Sequence, residues 1–454
     1  MEKGTTVGSQ KIAALFDAGT FVETGAFMKR ADGSVTGVVC GYGAIDGKLV
    51  YAFSQDSDRT RGAFDALQAE KIAKLYELAM KNGAPVIGMF DSVGAMVGDG
   101  AGVMSAYGKL IRTVSDASGV IPQIAVITGV CAGMAATVAA MFDVVVSIKD
   151  VSKLFVNAPF LVGKEVGGAD YTVQSGLTSA VAEDEADAIA KARKLIALLP
   201  ANNEEGAFIN ENSDDENRKV AVEGLAGKAL VEVVADAASF VELGAGYADE
   251  MITGLASFGG VTCGVVANDA TASNGVITAK AAAKAAKLVA FCDSFSIPVV
   301  TLTDSVGVEA TREAEDGALA AQLAKLAMAY ASATTAKVTA VVGKAYGAAF
   351  TLMGSKAMGA DMVYALPTAE ISVMAPASAV AFLWNEQITE SCTRADLEEK
   401  WKNEQASAEA AACDGSIDDV IDATELRQRI CAAIYMLMMK NASAPARKHC
   451  NLPL

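Results

Sequence analysis

One ordered set of short motifs occurs twice along this chain at a nearly constant spacing, and no other feature restricts its possible folds so strongly. Phe21-Val22-Glu23-Thr24-Gly25-Ala26 returns as Phe240-Val241-Glu242-Leu243-Gly244-Ala245, 219 positions on. Pro85 returns as Pro298, and Asp91-Ser92-Val93-Gly94 as Asp304-Ser305-Val306-Gly307, both 213 on. Gly129 and Gly133 return as Gly343 and Gly347, 214 on. Matches that keep their order and offset over half a chain mark a duplicated folding unit. A chain of 454 residues is also long for one core. We therefore expect two domains, 1–222 and 223–454, joined near the polar, acidic stretch Asn202–Arg218 with Glu204, Glu205, Glu211, Asp214, Asp215 and Glu216.

Within each half, apolar runs of strand length alternate with amphipathic segments through glycine turns, an α/β pattern that places sites at strand-to-helix turns. In the first half, Gln10–Phe16 reads as a short helix, and Val35–Tyr42 with Leu49–Ser54 as a hairpin about Asp46-Gly47. Ala63–Lys81 has helical spacing, with Leu67, Ile72, Leu75 and Leu78 as its apolar face and Asn82-Gly83 as its stop. Pro85–Phe90 is a buried strand, Gly102–Ala117 a helix, and Ile124–Thr128 a second strand that enters a turn, Gly129 to Met134, before a helix from Ala135 to Phe142. The second half repeats the last construction with strand Val338–Val342, turn Gly343 to Ala349 and a helix ending near Gly359. Val162–Ser175 is expected to loop over a site, and Glu425–Met439 to form a closing helix.

Charge and cysteine usage exclude several classes. A formal net charge of −17 and a pI near 4.6 argue against nucleic acid or an anionic membrane as the main partner. The eight cysteines show no CxxC spacing, and several sit in apolar segments, so free buried thiols in a reducing compartment are expected. No signal-type apolar core follows the N-terminus, which points to the cytoplasm. Ile121–Phe142 carries no charged residue and has the length of a membrane span. Its Pro122, Gln123 and glycines, and Lys344 in its repeat counterpart, make it a buried strand, turn and helix instead.

The chemistry available to the chain is narrow. Its single histidine, His449, lies in the tail, which removes histidine triads and histidine-rich metal sites unless that residue serves. Neither GxGxxG nor GxxxxGK[ST] occurs. Asp91 and Asp304, at matched strand ends, are candidates for a role or for capping the next helix. What remains is the backbone. At a strand-to-helix turn the first helical amides lack intrahelical partners and lie at the positive end of the helix dipole, where they can hold a developing oxyanion. Two such turns suit a reaction in which two carbonyl compounds both pass through enolate-like states, although glycines there also serve simply as packing devices.

Five stretches then carry a resemblance. Ser118-Gly119-Val120-Ile121-Pro122-Gln123, Phe291-Cys292-Asp293-Ser294-Phe295-Ser296-Ile297-Pro298, Lys344-Ala345-Tyr346-Gly347-Ala348-Ala349-Phe350, Pro367-Thr368-Ala369-Glu370-Ile371-Ser372-Val373-Met374 and the ending Arg447 to Leu454 together resemble the biotin-dependent acyl-CoA carboxyltransferases. That family includes the propionyl-CoA carboxylase β chain and the α chains of methylmalonyl-CoA and glutaconyl-CoA decarboxylases. The resemblance implies two crotonase-like domains, acyl-CoA bound mainly by the first half, biotin entering against the second, and active sites shared between subunits of a dimer to hexamer. It further implies that amides around Gly133 and Met134 hold the thioester oxygen and those around Gly347 and Ala348 the biotin ureido oxygen. Ser92, Gly94, Ala95, Cys131, Ala132, Ala135, Tyr346, Ala349 and Thr351 would be the substrate-binding residues. No Met-Lys-Met attachment segment is present, so biotin would arrive on a separate biotin carrier protein, with a biotin carboxylase or a membrane decarboxylase subunit as further partners.

The chain departs from the family pattern at several positions. Gly133-Met134 stands where two glycines are usual, Val93-Gly94-Ala95-Met96 replaces Gly-Gly-Ala-Arg, Val306-Gly307-Val308 replaces a Pro-Gly-Phe element, and Thr351 replaces an aspartate linked to acyl choice. Two other readings therefore stay open. A crotonase-type hydratase or isomerase would need acid and base carboxylates in the pocket. A non-catalytic scaffold of a carboxylase complex would have lost acyl-CoA binding.

Overall fold

The computed structural model describes residues 6–30, 32–207, 209–211, 214–443, 445–446 and 451. The chain divides into two compact units, Met1–Gly206 and Ala207–Leu454, with the division inside the acidic stretch. His449, Cys450 and most of the Arg447–Leu454 ending lie outside the described residues.

The first unit is built on strands β1 (Val22–Thr24), β2 (Val38–Ile45), β3 (Lys48–Gln55), β4 (Val86–Ser92), β5 (Gln123–Ala132), β6 (Val144–Ile148), β7 (Lys153–Phe155) and β8 (Ala180–Ala182). They form one sheet in the order β1-β2-β3-β4-β5-β6-β8, with β7 beside the far end of β5. β1 to β3 pair antiparallel and the rest parallel. The second unit has β9 (Val241–Glu242), β10 (Met251–Phe258), β11 (Val261–Asn268), β12 (Val299–Ser305), β13 (Lys337–Tyr346), β14 (Met362–Ala365), β15 (Glu370–Ser372) and β16 (Asp419–Val420). Their order is β9-β10-β11-β12-β13-β14-β16, with β15 beside β13. Each strand of one unit thus has its counterpart, in the same place, in the other.

Local chemistry accounts for the elements. Asp46 and Gly47 both take positive φ, 48° and 78°, as a two-residue turn matched to the twist of its hairpin requires. Helix Ala66–Asn82 starts on Asp65, whose carboxylate accepts the Gln68 amide, and stops at Gly83 in the left-handed region. Its buried face is Ile72, Leu75, Tyr76 and Ala79, packed on the sheet. Leu78, expected on that face, is 39% exposed, because the true stripe follows the 3.6-residue period through Tyr76 and Ala79. Ile121–Phe142 contributes β5 and helix Met134–Ala140, and among the described residues no helix is long and apolar enough to cross a membrane.

Three expectations about length need correction. β5 and β13 run through Gly129 and Gly343 to Ala132 and Tyr346, so each turn is one residue, Gly133 or Gly347. The helix after Gly347 stops at Leu352 rather than near Gly359, because Gly354 takes φ 68°. Val162–Ser175 is half helical, with Ala169–Gln174 forming a turn and a half. The stretch from β15 to β16 (373–418) is also much longer than that from β7 to β8 (156–179), and it carries both tryptophans of the chain.

Candidate active site

Each unit carries the same irregularity in its central strand. Phe90 pairs with Ile127 but Ser92 with Cys131, so two steps on β4 face four on β5. Thr303 pairs with Val341 but Ser305 with Ala345, the same bulge in β13. A bulge leaves an amide without a ladder partner, and Asp91 supplies one. Its Oδ1 accepts the Val130 amide at 3.3 Å, and in the second unit Asp304 Oδ1 accepts the Lys344 amide at 2.8 Å. Glycine is required opposite, because a Cβ on Gly129 or Gly343 would fall 2.2 Å from that carboxylate oxygen. The two aspartates therefore cap strand bulges and not helices, which corrects the capping expectation. Asp91 also accepts from Lys11 Nζ at 3.1 Å, and Lys11 reaches the Thr128 carbonyl at 3.3 Å. At the 219 spacing, Lys11 corresponds to the buried Leu230.

Beyond the bulge each central strand changes partner and ends at its glycine. Val130, Cys131 and Ala132 pair with Lys153, Leu154 and Phe155, and Lys344, Ala345 and Tyr346 with Glu370, Ile371 and Ser372. Gly133 (φ 66°, ψ −129°) and Gly347 (φ 56°, ψ −127°) are the N-caps of the helices Met134–Ala140 and Ala348–Leu352, and neither offers a capping side chain. Their own amides are used. Gly133 N donates to Phe155 O at 2.9 Å and Gly347 N to Ser372 O at 2.8 Å. The amides left without intrahelical partners are those of Met134 and Ala135 in one unit and of Ala348 and Ala349 in the other. A Cβ at Gly133 would meet nothing within 4 Å, and one at Gly347 only the Val373 carbonyl at 3.1 Å.

A loop from the neighbouring strand borders each turn. Ser92 Oγ receives the Gly94 amide at 3.2 Å, and Ser305 Oγ the Gly307 amide at 3.2 Å. A Cβ on Gly94 would lie 3.5 Å from the Ala132 carbonyl, so this loop rests on the strand end just before Gly133. Ser92 and Gly94 are buried, and Ala95 is half-buried.

The sequence candidates thus fall into groups. Cys131, Ala135 and Ala349 have buried side chains, and Ala132 is nearly so; any contact of theirs with a ligand is through the backbone. Burial pushes the Cys131 thiol far above its ordinary range, so it is no nucleophile. Met134 is half-buried and packs against the first unit's core, whereas Ala348 and Thr351 are exposed. Tyr346 is buried, and its hydroxyl donates to Glu370, which pairs with Lys402 at 2.6 Å. Burial alone would raise the Glu370 pKa, but its bonds from Lys402 and Tyr346 hold it below the usual range, while burial and the Glu370 carboxylate push the Tyr346 phenol up. Trp401 Nε1 donates to Ser372 Oγ at 3.1 Å, on the residue whose carbonyl holds Gly347. Sequence reasoning gave Glu370, Lys402 and Trp401 no role. Glu370 lies inside a motif that carried the resemblance, but only three-dimensional contact ties the other two to it. Among the described residues no group of acidic, cysteine or histidine side chains could hold a metal.

Two α/β units of one topology, each with a bulged central strand ending in a glycine turn that frees two amides, define the duplicated crotonase-like class. Comparison with known proteins makes this specific: the profile described as "Carboxyl transferase domain" matches residues 1–452, and the chain belongs to that family. It is 35% identical over 482 residues to the methylmalonyl-CoA decarboxylase subunit alpha of Veillonella parvula, covering 100% of this chain and 94% of that one. It is 34% identical over 484 residues to the mitochondrial propionyl-CoA carboxylase beta chain of Sus scrofa, covering 100% and 89%. A crystal structure of transcarboxylase 12S, described as a hexamer with hydrolysed methylmalonyl-coenzyme A bound, superposes with a TM-score of 0.94 at 34% identity over 98% of this chain and 92% of that one. The chain is a carboxyltransferase.

Proposed function

We propose that this chain is the carboxyltransferase subunit of an acyl-CoA carboxylase or decarboxylase complex and moves a carboxyl group between a small acyl-CoA and biotin on a separate carrier chain. The observation that carries the reading is the pair of freed amides in each unit. Met134 N and Ala135 N hold the thioester oxygen, so that charge pushed onto it when the α-carbon becomes nucleophilic meets two fixed donors. Ala348 N and Ala349 N hold the ureido oxygen of the biotin ring, and the exposed Val373, whose carbonyl lies close to Gly347, offers that ring an apolar edge. Biotin, when bound, supplies the carboxyl carrier and the proton-accepting nitrogen. This chain supplies orientation and two electrostatic cradles, and needs no histidine for either.

The assignment of acyl-CoA to the first domain (1–222) and biotin to the second (223–454) belongs to this reading, as do a biotin carrier partner, a homo-oligomer of the kind named for transcarboxylase, and the cytoplasm. The hydratase reading is disfavoured by Asp91 and Asp304, which are committed to bulge amides. The test is transcarboxylation by the purified chain, with malonyl-, methylmalonyl- and glutaconyl-CoA as donors and free biotin or a biotinylated carrier as acceptor. Biotin-dependent loss of carboxylate from one donor is expected. A chain that binds none of these thioesters is a scaffold and overturns the reading.

A further inference from the structure

A strained turn stands before each site loop, and the two copies differ in one charge. Thr60, Arg61 and Gly62 all take positive φ, at 50°, 54° and 67°, and Ser273, Asn274 and Gly275 do the same at 49°, 54° and 65°. Glycine is forced at the third position, where a Cβ would fall 1.9 Å from the Asp91 carbonyl or 2.1 Å from that of Asp304. The turns are fastened to the loops that border the freed amides. Arg61 O accepts the Val93 amide at 3.3 Å, and Phe64 N donates to Gly94 O at 2.8 Å. Asn274 O accepts the Val306 amide at 3.3 Å, and Ile277 N donates to Gly307 O at 2.9 Å. The turn thus holds the Val93-Gly94 loop, and that loop lies beside the Ala132 carbonyl that precedes Gly133.

The middle residue separates the copies. Asparagine tolerates the left-handed region, whereas an arginine held there is strained, and such strain persists chiefly where it serves function. Arg61 is exposed and, among the described residues, makes no ion pair, although the chain carries a net charge of −17. Its neighbour Arg59 is held by Asp56 at 3.4 Å. Two arginines therefore flank the first turn where the second has Ala272 and Asn274, and one of them is uncommitted.

We propose that Arg61 is a substrate-binding residue that takes a phosphate of the acyl-CoA, so that charge on this turn directs the nucleotide thioester to the first unit, while neutral Asn274 leaves the second to an uncharged ring. The assignment rests on the carboxyltransferase reading above. A guanidinium matches a phosphate with two parallel donors.

The test compares full-length wild type with Arg61→Asn, which copies the residue of the twin turn and so keeps the backbone. Binding is measured for propionyl-CoA, its 3′-dephospho form and propionyl-pantetheine. Arg61→Asn is expected to weaken propionyl-CoA about tenfold or more while leaving propionyl-pantetheine unchanged, with a melting temperature no lower than that of wild type, since asparagine suits the left-handed turn. A loss that vanishes with the 3′-dephospho thioester assigns the contact to the 3′-phosphate, and one that persists assigns it to the diphosphate. Equal weakening of all three ligands, or of none, overturns the assignment to Arg61. A wild-type chain that binds no acyl-CoA overturns instead the functional reading beneath it.

Discussion

At the scale of single residues, the repeated glycines and aspartates mark one device, a carboxylate that replaces the ladder partner missing at a strand bulge. Gly129→Ala would drive a methyl group to 2.2 Å from Asp91 Oδ1, pushing the carboxylate off the Val130 amide and away from Lys11. Overpacking plus an orphaned buried amide should cost about 2–4 kcal/mol, read as a lower urea midpoint. The spacing of these residues was legible in the sequence, but their job was not, because a bulge is a property of pairing between strands. Lys284 was not legible at all. It lies among alanines on helix Ala279–Ser294, its amine is buried and donates to Tyr247 O at 2.7 Å, and burial lowers its pKa to about 8 from 10.5. Below about 8 both folded and unfolded chains hold this proton and the buried charge weighs fully against folding. Between about 8 and 10.5 only the unfolded chain holds it, so stability rises with pH. Denaturation of wild type against Lys284→Met should show the difference shifting toward wild type across that window, and a flat difference would refute it.

At the scale of elements, each unit uses an arginine of a late helix and an aspartate of an early loop to hold the first hairpin. In the first unit Arg193, on helix Glu185–Leu198, pairs with Asp17 and Asp46 at 2.7 Å, and Asp17 accepts the Gly47 amide at 3.2 Å. In the second, Arg427, on helix Leu426–Leu437, pairs with Asp236 at 2.6 Å, and Asp236 accepts the amides of Gly259 and Gly260 at 3.0 and 2.8 Å. Burial separates the two, since the Arg193 side chain is 25% exposed and that of Arg427 is 0%. Removing Asp236 takes the nearer of two carboxylates from a buried guanidinium, leaving Asp214 at 3.5 Å, and orphans the amides of Gly259 and Gly260, so Asp236→Ala should cost about 3–5 kcal/mol. Asp17→Ala should cost much less, because water can replace a half-exposed partner. Similar urea midpoints for the two variants would contradict this ranking. The aspartates keep the 219 spacing that revealed the repeat, but the arginines are 234 apart, displaced by the longer stretch between β15 and β16, so sequence comparison at a fixed offset passes over them.

At the scale of the whole molecule, the duplication supplies two copies of one backbone device, and what distinguishes them is the residue that follows the glycine and the charge around it. Fold class and the two glycine turns were readable because both depend on short-range pattern. The identity of the free donors was not, because β7 and β15, distant in sequence, occupy the glycine amides themselves. That detail permits a direct test of whether both turns are catalytic. Met134 and Ala348 are the first residues of their helices, a position where proline is accommodated and where its missing amide is the one at issue. Proline excludes an ordinary helical residue before it, but Gly133 and Gly347, near φ 60° and ψ −128°, hold the mirror image of the extended conformation that proline prefers in its neighbour. Ala348→Pro should therefore fold with a nearly wild-type melting temperature and Met134→Pro, which also gives up the Met134 packing on the first core, with a somewhat lower one, and each loses one oxyanion donor. Turnover in the biotin-dependent assay should fall by about 10²–10³ in both, since such a donor acts mainly on the charge that develops during reaction, while acyl-CoA binding changes little. Full activity in Ala348→Pro would reduce the second turn to packing and confine the chemistry to the first, whereas equal losses would mean that both halves of the duplication were kept because both carbonyl groups become anionic on the way through.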